Sequence, residues 1–115
     1  MTIQERQLNG ITVLDLDGTF ALGGHADFKH HIEANITSGN RKLLINMAKV
    51  SYMDSSGLGE LISGYSQMQR VNGKMKLLNL NKRLNHLLVI TKLITVFEMF
   101  DSESAAISSF AADTN

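Results

Sequence analysis

The residues best placed to do chemistry in this chain are Asp54, Ser55 and Ser56, which follow a short apolar run and precede an amphipathic one. A hydroxyl at the start of a helix lies near backbone N–H groups without a partner inside the helix and near the positive end of its dipole. A phosphate attached there would be stabilised locally. The triplet is therefore a candidate phosphorylation site, although Asp and Ser also begin helices for local energetic reasons alone.

Composition narrows the class of protein. With 115 residues, 43% of them hydrophobic, the chain can bury one core, and we predict a single domain over residues 1–115. Eleven acidic and eleven basic residues give no general attraction to nucleic acid or to a membrane surface. Cysteine is absent, and the N-terminus lacks the apolar core of a signal peptide. We expect a cytoplasmic protein that needs no cofactor and binds neither nucleic acid directly nor a membrane.

Strand-like and helix-like patterns alternate along the chain in the order ββαβαβαβα. Asn9-Gly10 between the first two apolar runs predicts a hairpin, because both residues accept the positive φ of a type I′ turn. Strand–helix–strand units then predict parallel neighbours, so the class is α/β, with a mixed, mostly parallel sheet of about five strands and four helices. The predicted strands cover residues 3–8, 11–18, 42–47, 74–80 and 94–100. The predicted helices cover residues 25–38, the apolar positions Leu58, Leu61, Ile62, Tyr65 and Met68, residues 82–90, and a terminal segment that Asp101 or Ser102 caps.

The unbroken run Asp54-Ser55-Ser56-Gly57-Leu58-Gly59 closely resembles the phosphoacceptor motif of the STAS-domain anti-sigma factor antagonists, also called anti-anti-sigma factors. The order of elements is similar to the STAS fold over about residues 5–110. The resemblance implies that Ser55 accepts the phosphate, whereas Ser56 helps to cap the helix. It also implies a partner that is both an anti-sigma factor and a serine kinase, and a phosphatase that reverses the modification. The chain itself would then be no enzyme.

The resemblance also predicts a partner-binding surface around Ser55. Gly57 and Gly59 would let another chain approach closely, and Leu58 would be either an exposed anchor or the first core residue. The family's acidic loop after the second strand is replaced here by an apolar one, so we expect Phe20 and Leu22 to be exposed contacts for the partner; the alternative is a Phe20 that fills the core. The predicted surface comprises Asp54, Ser56, Gly57, Leu58, Gly59, Phe20 and Leu22.

Two further features of the sequence are a lysine at the end of the third predicted helix and a basic stretch around it. The family often carries glycine where the third helix ends, and this chain has Lys92 there. Residues 70–97 contain six basic side chains and no acidic one. Such a region could bind an acidic protein surface or, as a rival interpretation, a nucleotide or other small ligand.

The remaining alternatives are weaker in the sequence. Asp27 and His31 have ligand-like spacing on the first predicted helix, but a third metal ligand is missing. A serine hydrolase would use Ser55 with His86 as the base, but the Gly-x-Ser-x-Gly elbow is absent. A STAS scaffold or signalling subunit whose output is not a sigma factor would retain the same phosphorylation motif.

Overall fold

The computed structural model describes residues 1–21 and 26–113. Within these residues the predicted α/β class is confirmed: five strands form one sheet in the order β1-β2-β3-β4-β5, in which β1 and β2 are antiparallel and the other neighbours are parallel. The strands are β1 (Thr2–Leu8), β2 (Ile11–Phe20), β3 (Lys42–Met53), β4 (Lys74–Leu78) and β5 (Met99–Phe100). The helices are α1 (Ala26–Thr37), α2 (Ser55–Arg70), α3 (Lys82–Ile90) and α4 (Glu103–Ala112), with a 3-10 turn at Leu93–Thr95.

Two apolar layers cover the two faces of the sheet. Helices α1, α2 and α3 pack on one face against Leu14, Ile45 and Leu77, whereas α4 packs on the other face against Val13 and Leu44. Alternate side chains of a strand point to opposite faces, which explains why the central strands are apolar at consecutive positions. Among the described residues, none of the helices has the length and apolar character required to cross a membrane.

The opening hairpin forms as predicted. Leu8 pairs with Ile11, and Asn9 and Gly10 have φ angles of 51° and 78°. These positive angles are the ones that a two-residue hairpin turn requires.

Strand β3 is longer than the sequence predicted. We expected it to end at Met47, but it continues to Met53. The continuation was not visible in the sequence, because two register shifts against β2 interrupt the regular alternation of buried and exposed side chains. From the first shift onward, Met47, Val50 and Met53 are buried at a spacing of three residues. That spacing does not resemble the period of a strand. The extension carries the chain beyond β4 and places Asp54 beside the end of β2.

The last strand is shorter than predicted. We expected a strand over residues 94–100, but Leu93–Thr95 form a 3-10 turn and β5 contains only Met99 and Phe100. Phe97 is buried between these two elements, and its ring lies edge-on to Tyr65 with the centroids 5.2 Å apart. The apolar run is therefore used to fill the core from a turn rather than to extend the sheet.

Lys76 fixes the last helix to the sheet. Its side chain is buried on β4, and Nζ donates to Ser109 Oγ and the Asp113 carboxylate and pairs with Glu98 Oε2 at 2.8 Å. The ammonium also lies 4.6 Å from the centroid of the Phe110 ring, within cation–π range. Burial alone would lower the pKa of Lys76, but the hydrogen bonds to Asp113 and Glu98 outweigh it and raise the pKa.

Replacing Lys76 with alanine should lower the free energy of unfolding by about 2 kcal/mol or more, because the change removes a buried side chain with its packing against Phe110 and its hydrogen bond to Ser109. Lys74→Ala is the matched control on the same strand. Lys74 is exposed, so its loss should cost less than about 0.5 kcal/mol. Urea unfolding of the two variants measures the difference. Equal losses would show that the Lys76 contacts do not secure α4.

Candidate functional site

Asp54 caps helix α2 at the end of β3. Its Oδ1 accepts hydrogen bonds from the Ser56 backbone N–H at 2.9 Å, the Gly57 backbone N–H at 3.0 Å and the Ser56 hydroxyl at 2.6 Å. The prediction that the Ser56 hydroxyl caps the helix is therefore wrong, because this hydroxyl donates to the capping carboxylate instead. The Asp54 backbone N–H also donates to the carbonyl of Phe20 at 3.3 Å, which ties the cap to β2.

Ser55 is the first residue of α2, and its side chain is exposed. Within the described part of the chain, its hydroxyl makes no hydrogen bond. The two N–H groups of Ser56 and Gly57, which the sequence left open for a phosphate, are already bound by Asp54. A phosphate on Ser55 would thus lie beside a carboxylate and point into solvent.

Phe20 belongs to the core, and the prediction that it is exposed is wrong. Its side chain is 0% exposed, and its ring packs against that of Phe28 with the centroids 5.1 Å apart. The Phe20 position is a neighbour of the Ser55 turn through its backbone carbonyl, as the hydrogen bond from Asp54 shows. The other loop residue of that prediction, Leu22, lies outside the described residues.

The two glycines of the motif have different environments. A Cβ at Gly57 would lie 2.0 Å from the carbonyl oxygen of Phe20, so this buried glycine admits β2 rather than a partner chain. A Cβ at Gly59 would have no heavy atom within 4 Å, so this position is open to solvent. Leu58, for which the sequence left two possibilities, is 7% exposed and packs in the core.

Two exposed apolar residues near Ser55 were not predicted. Tyr52 is 46% exposed three residues before Ser55, and Ile62 is 36% exposed seven residues after it. Seven residues make about two helical turns, so Ile62 lies below Ser55 on the same side of α2. The seven-residue spacing from Ser55 could have indicated that Ile62 is exposed on the same side of α2. We instead counted Ile62 among the core positions because it is apolar.

The alternative chemistries find little support in the geometry. His31 contacts Glu5 on β1, with Nδ1 and Oε1 2.8 Å apart, and no group of three acidic or histidine side chains in the described residues could hold a metal ion. His86 is exposed on α3. The basic region is not one surface, because Lys76 is buried and paired.

A second polar cluster lies on the half of the sheet that α4 leaves open. Arg6 binds both oxygens of Asp15, at 2.6 and 2.9 Å, and also Glu103, while Asn46 donates to Asp15 at 2.8 Å. Burial would raise the pKa of Asp15, but the hydrogen bonds from Arg6 and Asn46 hold it below its usual value. These groups satisfy one another, so the cluster joins β1, β2, β3 and α4 rather than activating a reacting group.

Comparison with known proteins identifies the family. The STAS domain family matches residues 2–106, and the chain belongs to that family. BtrV of Bordetella bronchiseptica is 20% identical over 110 residues, which cover 96% of this chain and 95% of that protein. The anti-sigma-B factor antagonist of Bacillus subtilis is 39% identical over 57 residues, which cover 50% of this chain and 52% of that protein. The solved structure of the Bacillus cell fate determinant SpoIIAA in the phosphorylated form has a TM-score of 0.75 at 22% identity, over 95% of this chain and 99% of that chain.

The two glycines of the turn should respond oppositely to alanine. Gly57→Ala should lower the free energy of unfolding by at least about 2 kcal/mol, because its Cβ would overlap the Phe20 carbonyl. Gly59→Ala should raise it by about 0.5–1 kcal/mol, because alanine favours an open helical position. Chemical denaturation measures both. A harmless Gly57→Ala would mean that the turn does not pack against β2 as described.

Proposed function

We propose that the protein is an anti-sigma factor antagonist controlled by phosphorylation of Ser55. In its unphosphorylated form it binds an anti-sigma factor that is also a serine kinase, and the sigma factor is released. The observation that carries the proposal is the exposed Ser55 hydroxyl on the first turn of α2, directly beside the Asp54 cap. Membership of the STAS family and the name of the Bacillus subtilis relative support it.

The docking surface that we propose is what remains exposed around the turn. It comprises Ser55, the open position at Gly59, and the apolar side chains of Tyr52 and Ile62. Gly59 has no side chain, so a partner can come close to the helix between Ser55 and Ile62. Gly57, Leu58 and Phe20 act indirectly, because they pack beneath this surface and hold it in place. Asp54, which caps α2, and Ser56, whose hydroxyl donates to the Asp54 carboxylate, lie at its edge.

Phosphorylation changes the charge of this surface. The kinase supplies ATP and magnesium: the Ser55 oxygen attacks the γ-phosphorus, its proton passes to a base of the kinase, and ADP leaves. The product carries a phosphate of nearly two negative charges beside the Asp54 carboxylate. The N–H groups of Ser56 and Gly57 already bind Asp54, so these two donors are not free to neutralise the phosphate. Repulsion and desolvation then oppose docking, and a phosphatase restores the binding form by hydrolysis.

This assignment makes the chain a regulatory protein rather than an enzyme. Its place of action would be the cytoplasm, where a sigma factor engages RNA polymerase. Neither nucleic acid nor a membrane is required, since the sigma factor is controlled through protein contacts alone.

Ser55 should be the residue that the cognate kinase modifies. Incubation with that kinase and ATP should add one phosphate per chain, and Ser55→Ala should reduce incorporation to background. Ser56→Ala is the matched control: it removes the neighbouring hydroxyl, should retain phosphorylation, and should cost about 1 kcal/mol of stability through its lost bond to Asp54. Mass spectrometry of proteolytic peptides locates the phosphate. A phosphate on Ser56, or on neither serine, would refute the assignment.

A further inference from the structure

Helices α2 and α3 lie on the same face of the sheet and run in the same direction. Each follows one of two adjacent parallel strands, β3 and β4, and both contribute to the same core through Leu61 and Leu88. The N-terminal ends of both helices therefore lie near the C-terminal ends of these strands, where Ser55 is. The C-terminal ends of both helices lie near the N-terminal ends of the strands.

The side of α2 that carries Ser55 faces the segment after α3. Ser55, Ile62 and Gln69 are spaced by seven residues and so fall close to one line along the helix. At the lower end of this line, Gln69 and Tyr65 share a shallow depression with Val96. The strip of surface from Ser55 through Ile62 to Gln69, here called the track, therefore ends beside Val96. Val96 is itself an exposed apolar residue.

Helix α3 follows β4 on the same face of the sheet and so lies on the side of α2 nearer β5. On one flank of α3, Lys82 and Asn85 line a depression with Met99 next to β5. Arg83 and Ile90 are also seven residues apart, and helical geometry places them on the flank turned away from β5 and toward α2. Ile90 is 61% exposed, the largest value among the exposed large apolar residues that the structure describes.

A positive charge follows Ile90 at some cost to the backbone. Lys92 is exposed and has φ 63°, a left-handed conformation that glycine adopts more readily. The residue directly after a helix C-cap is commonly a left-handed glycine, so lysine carries its charge at this position at a cost in stability. No acidic residue occurs from residue 71 to residue 97, so nothing in this stretch of sequence offsets the charges of Arg83 and Lys92.

We propose that these side chains form a second part of the docking surface, here called the α2–α3 surface, which binds an acidic amphipathic segment of the partner kinase. The inference rests on the proposed function, since the occupant is the protein that engages Ser55. Apolar side chains of that segment would pack on the track, and its carboxylates would lie beside the two cations. The α2–α3 surface comprises Ile62, Gln69, Arg83, Ile90, Val96 and Lys92.

The test measures the affinity of the unphosphorylated full chain for the kinase that modifies Ser55, without ATP, by calorimetry. Ile90→Ala should weaken binding about 10-fold, whereas the control Val89→Ala, on the flank next to β5, should leave it within about 2-fold. Lys92→Gly should also weaken binding, and should make it less sensitive to salt, while raising the melting temperature. A residue with only a structural role would not combine higher stability with lower affinity.

The outcomes separate the two claims. Ser55→Asp places a carboxylate at the proposed phosphoacceptor and should weaken binding. Unchanged affinity of Ile90→Ala and Lys92→Gly, together with weaker binding of Ser55→Asp, would overturn the α2–α3 surface and leave the proposed function standing. An equal loss in Val89→Ala would also overturn it, because the effect would not belong to this flank. If no anti-sigma kinase from the native cell binds or phosphorylates the wild-type chain, the proposed function fails, and the α2–α3 surface fails with it.

Discussion

The hydrogen bonds of a single oxygen atom, Asp54 Oδ1, determine the geometry of the site. It accepts hydrogen bonds from two backbone N–H groups and one hydroxyl of the first turn of α2. The backbone N–H of the same residue donates a hydrogen bond to the carbonyl of Phe20. This arrangement fixes where the helix begins and leaves Ser55 on the outside. Because the carboxylate already binds the N–H groups of Ser56 and Gly57, a phosphate on Ser55 would add charge to the surface instead of replacing Asp54 as their partner. The cap thereby links the fold to the proposed switch.

The order of elements and the position of the motif could be predicted because their signals are local. Asn9-Gly10 specifies a hairpin by its backbone angles, and a capping residue followed by periodic apolar residues specifies α2. The end of β3 could not be predicted in the same way. Its register shifts depend on pairing with β2, a contact that is distant in sequence, and they change the spacing of buried residues to three.

The role of Phe20 was missed for a related reason. An apolar residue after a strand can either cover the core or meet a partner, and the sequence does not distinguish these possibilities. The structure does, because Gly57 leaves space for the Phe20 carbonyl while Phe28 covers its ring. Charge was misread similarly: Lys76 lies in a basic stretch of sequence, yet its partners come from distant positions, Glu98 and Asp113. Once Lys76 is assigned to the core, Arg83 and Lys92 are among the cations of this stretch that remain exposed.

The most direct test of the central claim compares the phosphorylated and unphosphorylated forms in two properties. The account predicts that phosphorylation weakens binding to the kinase by at least about 100-fold, because like charges meet in a desolvated interface. It also predicts that the amide hydrogens of Ser56 and Gly57 keep their protection from exchange, because Asp54 still binds them. Equal affinities would contradict the electrostatic switch. Loss of protection at Ser56 and Gly57 would show instead that phosphorylation acts by opening the cap.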